Sequence, residues 1–125
     1  MKIKFVFLFL LLILSCSKEP QRISDCSEIK LPFNTYEDLI TVVESSKFTI
    51  EDKADTFKSS WIRSAKYYSC DGKTGYLIYS TDKQKYIHQN IPIEVWNEFK
   101  NADSFGSYYN KNIKGKYRLT PKNGE

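Results

Sequence analysis

Few side chains in this 125-residue sequence could carry out covalent chemistry. Its one histidine, His88, would have to serve any Cys-His or Ser-His nucleophile pair, and a metal site built on it would lack a second imidazole. The sequence contains no glycine-rich phosphate loop and no Cys-x-x-Cys pair. An acid-base pair for glycan cleavage would have to come from acidic residues that stand beside lysines, as on a solvated helix face: Glu94, Glu98 and Asp103. We therefore expect a protein that is not an enzyme and that uses no cofactor or metal.

A further reactive side chain, Cys16, ends an apolar run at the N-terminus. Lys2 and Lys4 precede ten consecutive apolar residues, 5–14, which is the pattern of a secretory signal. As a helix rising 1.5 Å per residue, this run would reach about 15 Å, half of a hydrocarbon core of roughly 30 Å. The run is therefore too short for a transmembrane anchor.

The residues Ile13-Leu14-Ser15-Cys16 resemble the lipobox of bacterial lipoproteins. This resemblance implies that residues 1–15 are a signal peptide and that Cys16 carries a diacylglyceryl thioether and an amide-linked acyl chain such as palmitate. Ser17, where Asp would be a retention signal, resembles lipoproteins sorted to an outer membrane. We expect a lipid-anchored protein of the bacterial cell envelope, periplasmic or surface-exposed. The alternatives are an ordinary signal peptide and an apolar core element.

Cys26 and Cys70 are the cysteines that remain once Cys16 is lipidated. Two cysteines in an oxidising compartment favour a disulfide, which would join the segment before the first predicted helix to the first predicted hairpin. Closing a loop of roughly 45 residues would contribute about 4 kcal/mol to stability. The alternative is two free thiols.

Charge is distributed unevenly along the chain. Residues 16–58 hold 6 basic and 9 acidic side chains, a net charge of −3, whereas residues 59–120 hold 10 and 5, a net charge of +5. The second segment also holds 12 of the 19 aromatic residues. Such residues form either the core and solvated rim of a small domain, or a binding surface for an anionic partner or lipid headgroups. The candidate binding residues are Lys111, Lys114, Lys116, Arg118, Tyr86 and His88.

The elements that position these residues begin after a polar tether, residues 16–32. Thr35 is a suitable N-cap with Asp38 three residues on, and one apolar stripe follows at helical spacing: Tyr36, Leu39, Ile40 and Val43. Residues 33–58 are predicted to form this N-terminal helix and one extended segment that contains Phe48, Ile50 and Phe57.

From residue 59 onward, short β-rich runs replace this pattern. Residues 61–68, 75–81 and 85–91 predict three strands of an antiparallel meander, separated by turn residues. Pro92 is predicted as the first residue of a helix with an apolar face, and Ser104 as the cap of a further short helix. The predicted fold class is α+β, a three-strand antiparallel meander with C-terminal helices packed on one face and one N-terminal helix before it.

Several segments of the second half resemble a known family: Ser60-Trp61-Ile62, Tyr86-Ile87-His88, Ile91-Pro92, and residues 102–110, followed by Ile113 and Tyr117. They look like the KTSC domain, a small module at the C-terminus of some lysyl-tRNA synthetases that also occurs alone in bacterial proteins. The resemblance implies a KTSC-like domain over residues 59–120, before a tail of residues 121–125. The family's central signature is Tyr-x-Tyr, and His88 stands here at the second position.

We therefore expect a non-catalytic lipoprotein whose KTSC-like module is an interaction module. Its predicted partners are the membrane, through lipidated Cys16, and either an envelope protein or an anionic partner. The resemblance also implies an alternative, because RNA binding has been suggested for the family, but the predicted location disfavours a nucleic-acid partner. A further alternative is an envelope immunity or exclusion factor.

Overall fold

A four-stranded antiparallel sheet is the centre of the protein in the computed structural model, which describes residues 24–31 and 33–117. Strands and helices follow one another along the chain as β1 (Ser24–Asp25), a 3-10 helix (Cys26–Glu28), α1 (Tyr36–Ser45), β2 (Ser46–Lys47), β3 (Ile50–Lys53), β4 (Ser64–Ser69), β5 (Thr74–Ser80), β6 (Lys85–Pro92), α2 (Ile93–Lys100) and α3 (Phe105–Asn112).

The sheet is a meander in which neighbours along the chain are also neighbours in space. Its strand order is β3-β4-β5-β6, and all pairs are antiparallel. A separate parallel pair joins β1 to β2, where Ser24 pairs with Ser46. The short connections between successive strands favour antiparallel pairing.

Side chains form the caps at the helix N-termini where the sequence predicted them. Thr35 Oγ1 accepts a hydrogen bond from the backbone N–H of Asp38 at 3.1 Å, and Ser104 Oγ accepts one from the N–H of Ser107 at 3.2 Å. Each cap satisfies a backbone donor that the first helical turn leaves without an intrahelical acceptor.

The sheet is buried on both faces, which gives two apolar clusters. Helix α1 covers one face together with strand side chains such as Tyr68, Ile78 and Ile87. Helices α2 and α3 cover the other face, where their buried residues meet Tyr67 and Leu77: Trp96, Phe99, Phe105, Tyr109 and Ile113. Adjacent strand residues therefore point into different clusters, as the two-residue period of a strand requires.

The α+β class is confirmed, and the C-terminal helices α2 and α3 lie on one face of the sheet as predicted. One detail of the predicted architecture is wrong, because the sheet has a fourth strand, β3, which lies in the segment predicted only as extended. The N-terminal helix α1, for which no face was predicted, packs on the opposite face.

Two single-residue predictions are also wrong. Pro92 is the N-cap of α2 and the last residue of β6, so the helix begins one residue later, at Ile93. Phe57 is not part of a strand and is 92% exposed, because the chain turns after β3.

The described residues include part of the predicted tether. Residues 24–31 contain β1 and the 3-10 helix, and they contact the α1 side of the sheet through Cys26 and Ile29. The predicted signal peptide, Cys16 and the tail of residues 121–125 lie outside the described residues. In the part of the chain that the structure describes, no helix has the length and apolar character needed to cross a membrane.

Candidate functional site

A surface groove of about 700 Å³ forms where two distant segments of the chain meet. One wall is the loop before β4, residues 58–61, and the other is α3 with the residues before it: residues 103–107, Asn110 and Lys111. These are the segments that carry the family resemblance in the sequence. Of the residues that line the groove, the sequence assigned a binding role only to Lys111, because the proximity of the two segments arises only when α3 packs on the sheet.

The groove depends on a close contact between Trp61 and Gly106. A Cβ atom added at Gly106 would lie 2.3 Å from Trp61 Nε1, closer than side chains tolerate. The Trp61 ring also packs edge-on against Tyr79 and Tyr109, with ring centroids 6.2 and 5.8 Å apart. Glycine is therefore required at position 106 so that the indole can lie against α3.

Two serines hold the walls of the groove in place. Ser59 Oγ accepts a hydrogen bond from the backbone N–H of Ile62 at 3.0 Å, which tightens the loop that carries Trp61. Ser104 Oγ caps α3. Local hydrogen bonds thus fix both backbone segments that line the groove.

The predicted lysine cluster begins at the groove, which Lys111 lines. Lys111 is in the last turn of α3, and Lys114 and Lys116 are in the turn that follows. Backbone hydrogen bonds from Lys114 N to Tyr109 O (2.9 Å) and from Lys116 N to Ile113 O (3.0 Å) fix this turn. All three side chains are exposed, and we call them the lysine turn. Arg118, the fourth basic residue of the prediction, lies outside the described residues.

Tyr86 and His88 lie on the face of the sheet that α2 and α3 cover. Tyr86 stacks on Tyr79 with ring centroids 4.9 Å apart. His88 is partly buried, its Nδ1 lies 3.0 Å from the Tyr117 carbonyl oxygen, and its Nε2 lies 3.0 Å from the Tyr109 hydroxyl. Both ring nitrogens are therefore used inside the protein rather than offered to a partner. Burial lowers the pKa of His88.

The acidic residues of interest do not form a pair. Glu98 accepts a hydrogen bond from the Tyr108 hydroxyl at 2.6 Å, whereas Asp103 lines the groove. The Asp52 carboxylate accepts hydrogen bonds from Lys100 Nζ at 2.8 Å and from Trp96 Nε1 at 2.9 Å. These donors, Lys100 first, lower the pKa of Asp52. These hydrogen bonds join β3 to α2, so the contacts of the Asp52 carboxylate have a structural role.

Cys26 and Cys70 are joined by a disulfide, and their Cα atoms lie 5.8 Å apart. The Asp25 carboxylate and the two sulfur atoms lie within 4.8 Å of one another. Sulfur atoms bonded to each other are not thiolates, so this trio offers no thiolate ligands to a metal in the described state. The bond links the segment before α1 to the end of β4.

Comparison with known proteins identifies the second half of the chain. A family model described as the KTSC domain matches residues 58–117, which include β4, β5, β6, α2, α3, the groove and most of the predicted KTSC-like region. No curated protein and no solved structure matches the chain. Residues 58–117 therefore form a KTSC domain.

Proposed function

We propose that this chain is a non-catalytic, lipid-anchored lipoprotein of the bacterial cell envelope whose KTSC domain binds another envelope component. The groove beside the lysine turn is the observation that carries the binding role, since it gathers exposed polar and cationic groups on a fixed backbone. The lipobox-like sequence around Cys16 supports the anchor.

The anchor and the disulfide together limit how far the domain can move from the lipid surface. Cys16 and Cys26 are ten positions apart, and at Cys26 the disulfide attaches the chain to the sheet. A fully extended chain spans at most about 3.6 Å per residue, so the domain would remain within about 36 Å of its anchor. A partner at the membrane surface is thus within reach.

The lysine turn supports an anionic partner. In the described part of the chain, no ion pair engages its three ammonium groups, whereas Lys85 pairs with Glu44 at 2.9 Å and Lys100 with Asp52 at 2.8 Å. Unpaired cations on a fixed turn attract an anionic surface without first giving up an internal partner.

Fractionation of cells that produce a Cys16→Ala variant tests the anchor. We expect the wild-type chain in the membrane fraction and the variant in the soluble fraction, because thioether acylation and amide acylation together give stable anchoring. A matched Cys26→Ala/Cys70→Ala variant keeps Cys16 and should stay with the membrane. Continued membrane association of the Cys16→Ala chain would contradict the anchor.

Charge reversal tests the contact surface. Lys111→Glu, Lys114→Glu and Lys116→Glu combined should abolish crosslinking to an envelope partner in intact cells. A control that reverses the exposed residues Lys66, Lys73 and Lys83 changes net charge equally but lies away from the lysine turn, and it should crosslink as the wild type does. Equal crosslinking by both triple variants would refute the role of the lysine turn.

A further inference from the structure

Apart from Ser59 and Ser104, the polar side chains that line the groove beside Trp61 are not used by the fold. Within residues 24–31 and 33–117, no hydrogen bond or ion pair engages the side chains of Lys58, Ser60, Asp103, Ser107, Asn110 and Lys111, all of which line the groove. Other exposed polar side chains do have a partner, as in Arg63–Asp82 at 2.8 Å. Groups that converge on one concavity without internal partners are available to a ligand.

The groove presents both signs of charge. Lys58 and Lys111 line the same space as Asp103, so the groove is not a purely cationic or a purely apolar surface. The remaining free groups are hydroxyls and one amide, which can both donate and accept hydrogen bonds. Neutral groups of this kind are suited to a ligand rich in hydroxyl or amide groups.

Trp61 adds an apolar surface to this polar lining. The indole is partly exposed, because only part of it is covered by Gly106, Tyr79 and Tyr109. An aromatic ring offers a flat apolar area with a negative face, to which the C–H groups on one side of a pyranose ring can pack. The sugar hydroxyls at the ring edge would then meet the serines and Asn110.

We infer that the groove binds a carbohydrate, a short run of pyranose units that packs on Trp61 and forms hydrogen bonds with Ser60, Ser107 and Asn110. The volume of about 700 Å³ lies within the range of roughly 300–1,000 Å³ that small-molecule sites occupy, so a di- or trisaccharide is a ligand of suitable size. This inference rests on the proposed binding role of the domain and names the ligand class of the groove.

Titration of the full chain in detergent with two trisaccharides tests the inference. Cellotriose carries hydroxyl groups alone, and chitotriose carries acetamido groups as well. The protein has two tryptophans, so its NMR spectrum contains two indole N–H signals. We expect either sugar to shift the Trp61 signal. The Trp96 signal should stay in place, because that indole is 1% exposed and donates to Asp52. No saturable shift with either sugar would overturn the inference.

Variants then locate the binding to the groove. Ser60→Ala/Asn110→Ala removes two free polar groups at exposed or partly exposed positions and should weaken sugar binding at least tenfold. Asn97→Ala, an exposed helical asparagine on α2, is the matched control and should bind as the wild type does. Equal binding by all three proteins would overturn the assignment of the site.

The two proposals fail separately. Sugar binding can be lost while crosslinking still depends on the lysine turn, and that result would overturn the carbohydrate inference alone. Sugar binding by a Lys114→Glu/Lys116→Glu variant at wild-type strength would support the groove as a site in its own right, because neither residue lines it. If the double variant binds sugar and the Lys111→Glu/Lys114→Glu/Lys116→Glu variant crosslinks normally, the lysine-turn contact of the proposed function is refuted and the carbohydrate site stands.

Discussion

The hydrogen bonds of His88 assign its proton. A backbone carbonyl can only accept, so Nδ1 must carry the hydrogen that is donated to the Tyr117 oxygen. In the neutral ring Nε2 is then the acceptor for the Tyr109 hydroxyl, which itself accepts from the Tyr79 hydroxyl at 2.8 Å. Every donor in this series of hydrogen bonds then has an acceptor. A proton on Nε2 would leave the Tyr109 hydrogen without one, so the packed protein favours neutral His88.

This arrangement predicts a loss of stability on mild acidification. The folded-state pKa of His88 lies below its usual 6.5, so the unfolded chain takes up the proton first as the pH falls. The contribution of His88 is therefore complete above about pH 6.5 and declines below it, no more steeply than about 1.4 kcal/mol per pH unit for one proton. Urea unfolding at pH 7.5, 6.0 and 5.0 measures the decline.

A His88→Gln variant is the control for that measurement. It should be less stable at pH 7.5 because the hydrogen-bonded chain is broken, but its stability should be flat between pH 7.5 and 5.0. The carboxylates with lowered pKa values, those of Asp25, Asp52, Asp71 and Asp82, titrate below this window and contribute equally in both proteins. A wild-type profile as flat as that of the variant would contradict the role of His88.

At the scale of the element, strand β6 contains a bulge that sets which side chains face the helices. Gly75 pairs with Ile91 and Leu77 with His88, so β6 has one more residue than β5 between these pairs. The backbone accommodates the extra residue at Asn90, whose φ of 56° lies in the left-handed region. Because of this shift, His88 and Ile91 both point toward the face that α2 and α3 cover. Without it, the two-residue period would send them to opposite faces.

Substitutions at Asn90 test the bulge. Asn90→Gly should leave the free energy of unfolding nearly unchanged, because glycine adopts positive φ readily. Asn90→Val should lower it by about 1–2 kcal/mol, since a β-branched residue is strained there. Asn90 is exposed, so lost packing does not confuse the comparison. Urea unfolding of both variants, with Gln89→Val as the control at the neighbouring position, provides the measurement. Equal stability of the valine and glycine variants would count against a strained bulge.

The strands and helices differ in how well the sequence predicted them. The runs that became β4, β5, β6, α2 and α3 were predictable because local alternation, turn residues and caps agree. Strand β3 was missed because its four residues, Ile50–Lys53, are mostly charged and its position depends on Asp52 contacting Trp96 and Lys100 from α2. The second covered face had a signal in the consecutive apolar residues Leu77, Ile78 and Tyr79, which are typical of a strand buried on both sides.

The groove was beyond sequence reasoning for a similar reason. Trp61 and Gly106 are 45 positions apart, and their contact depends on how α3 packs on the sheet. The lysine turn was predictable as a basic cluster, because its residues are close in sequence. The sequence could not show that these cations are without ion pairs within the described residues, because ion pairing depends on the tertiary structure.

At the scale of the whole molecule, the disulfide links two parts of the chain that differ in charge, of which only the second is the KTSC domain. Cys70 lies at the end of β4 in the KTSC domain, and Cys26 lies before α1. Helix α1 otherwise meets the domain through apolar packing and the Lys85–Glu44 ion pair, which is partly exposed and contributes little. The covalent link should therefore determine whether the N-terminal layer stays in place when packing weakens.

Reduction of this disulfide should lower the free energy of unfolding by about 4 kcal/mol, because a cross-link over 44 positions restricts the unfolded chain. Urea unfolding with and without a thiol reductant measures the change, and a Cys26→Ser/Cys70→Ser variant should unfold like the reduced protein and ignore the reductant. Hydrogen exchange would locate the effect, with faster exchange first in α1, since the four-stranded sheet keeps its α2 and α3 layer. The same midpoint in oxidised and reduced protein would contradict this prediction, and the sheet contacts of α1 would then suffice to hold the N-terminal layer.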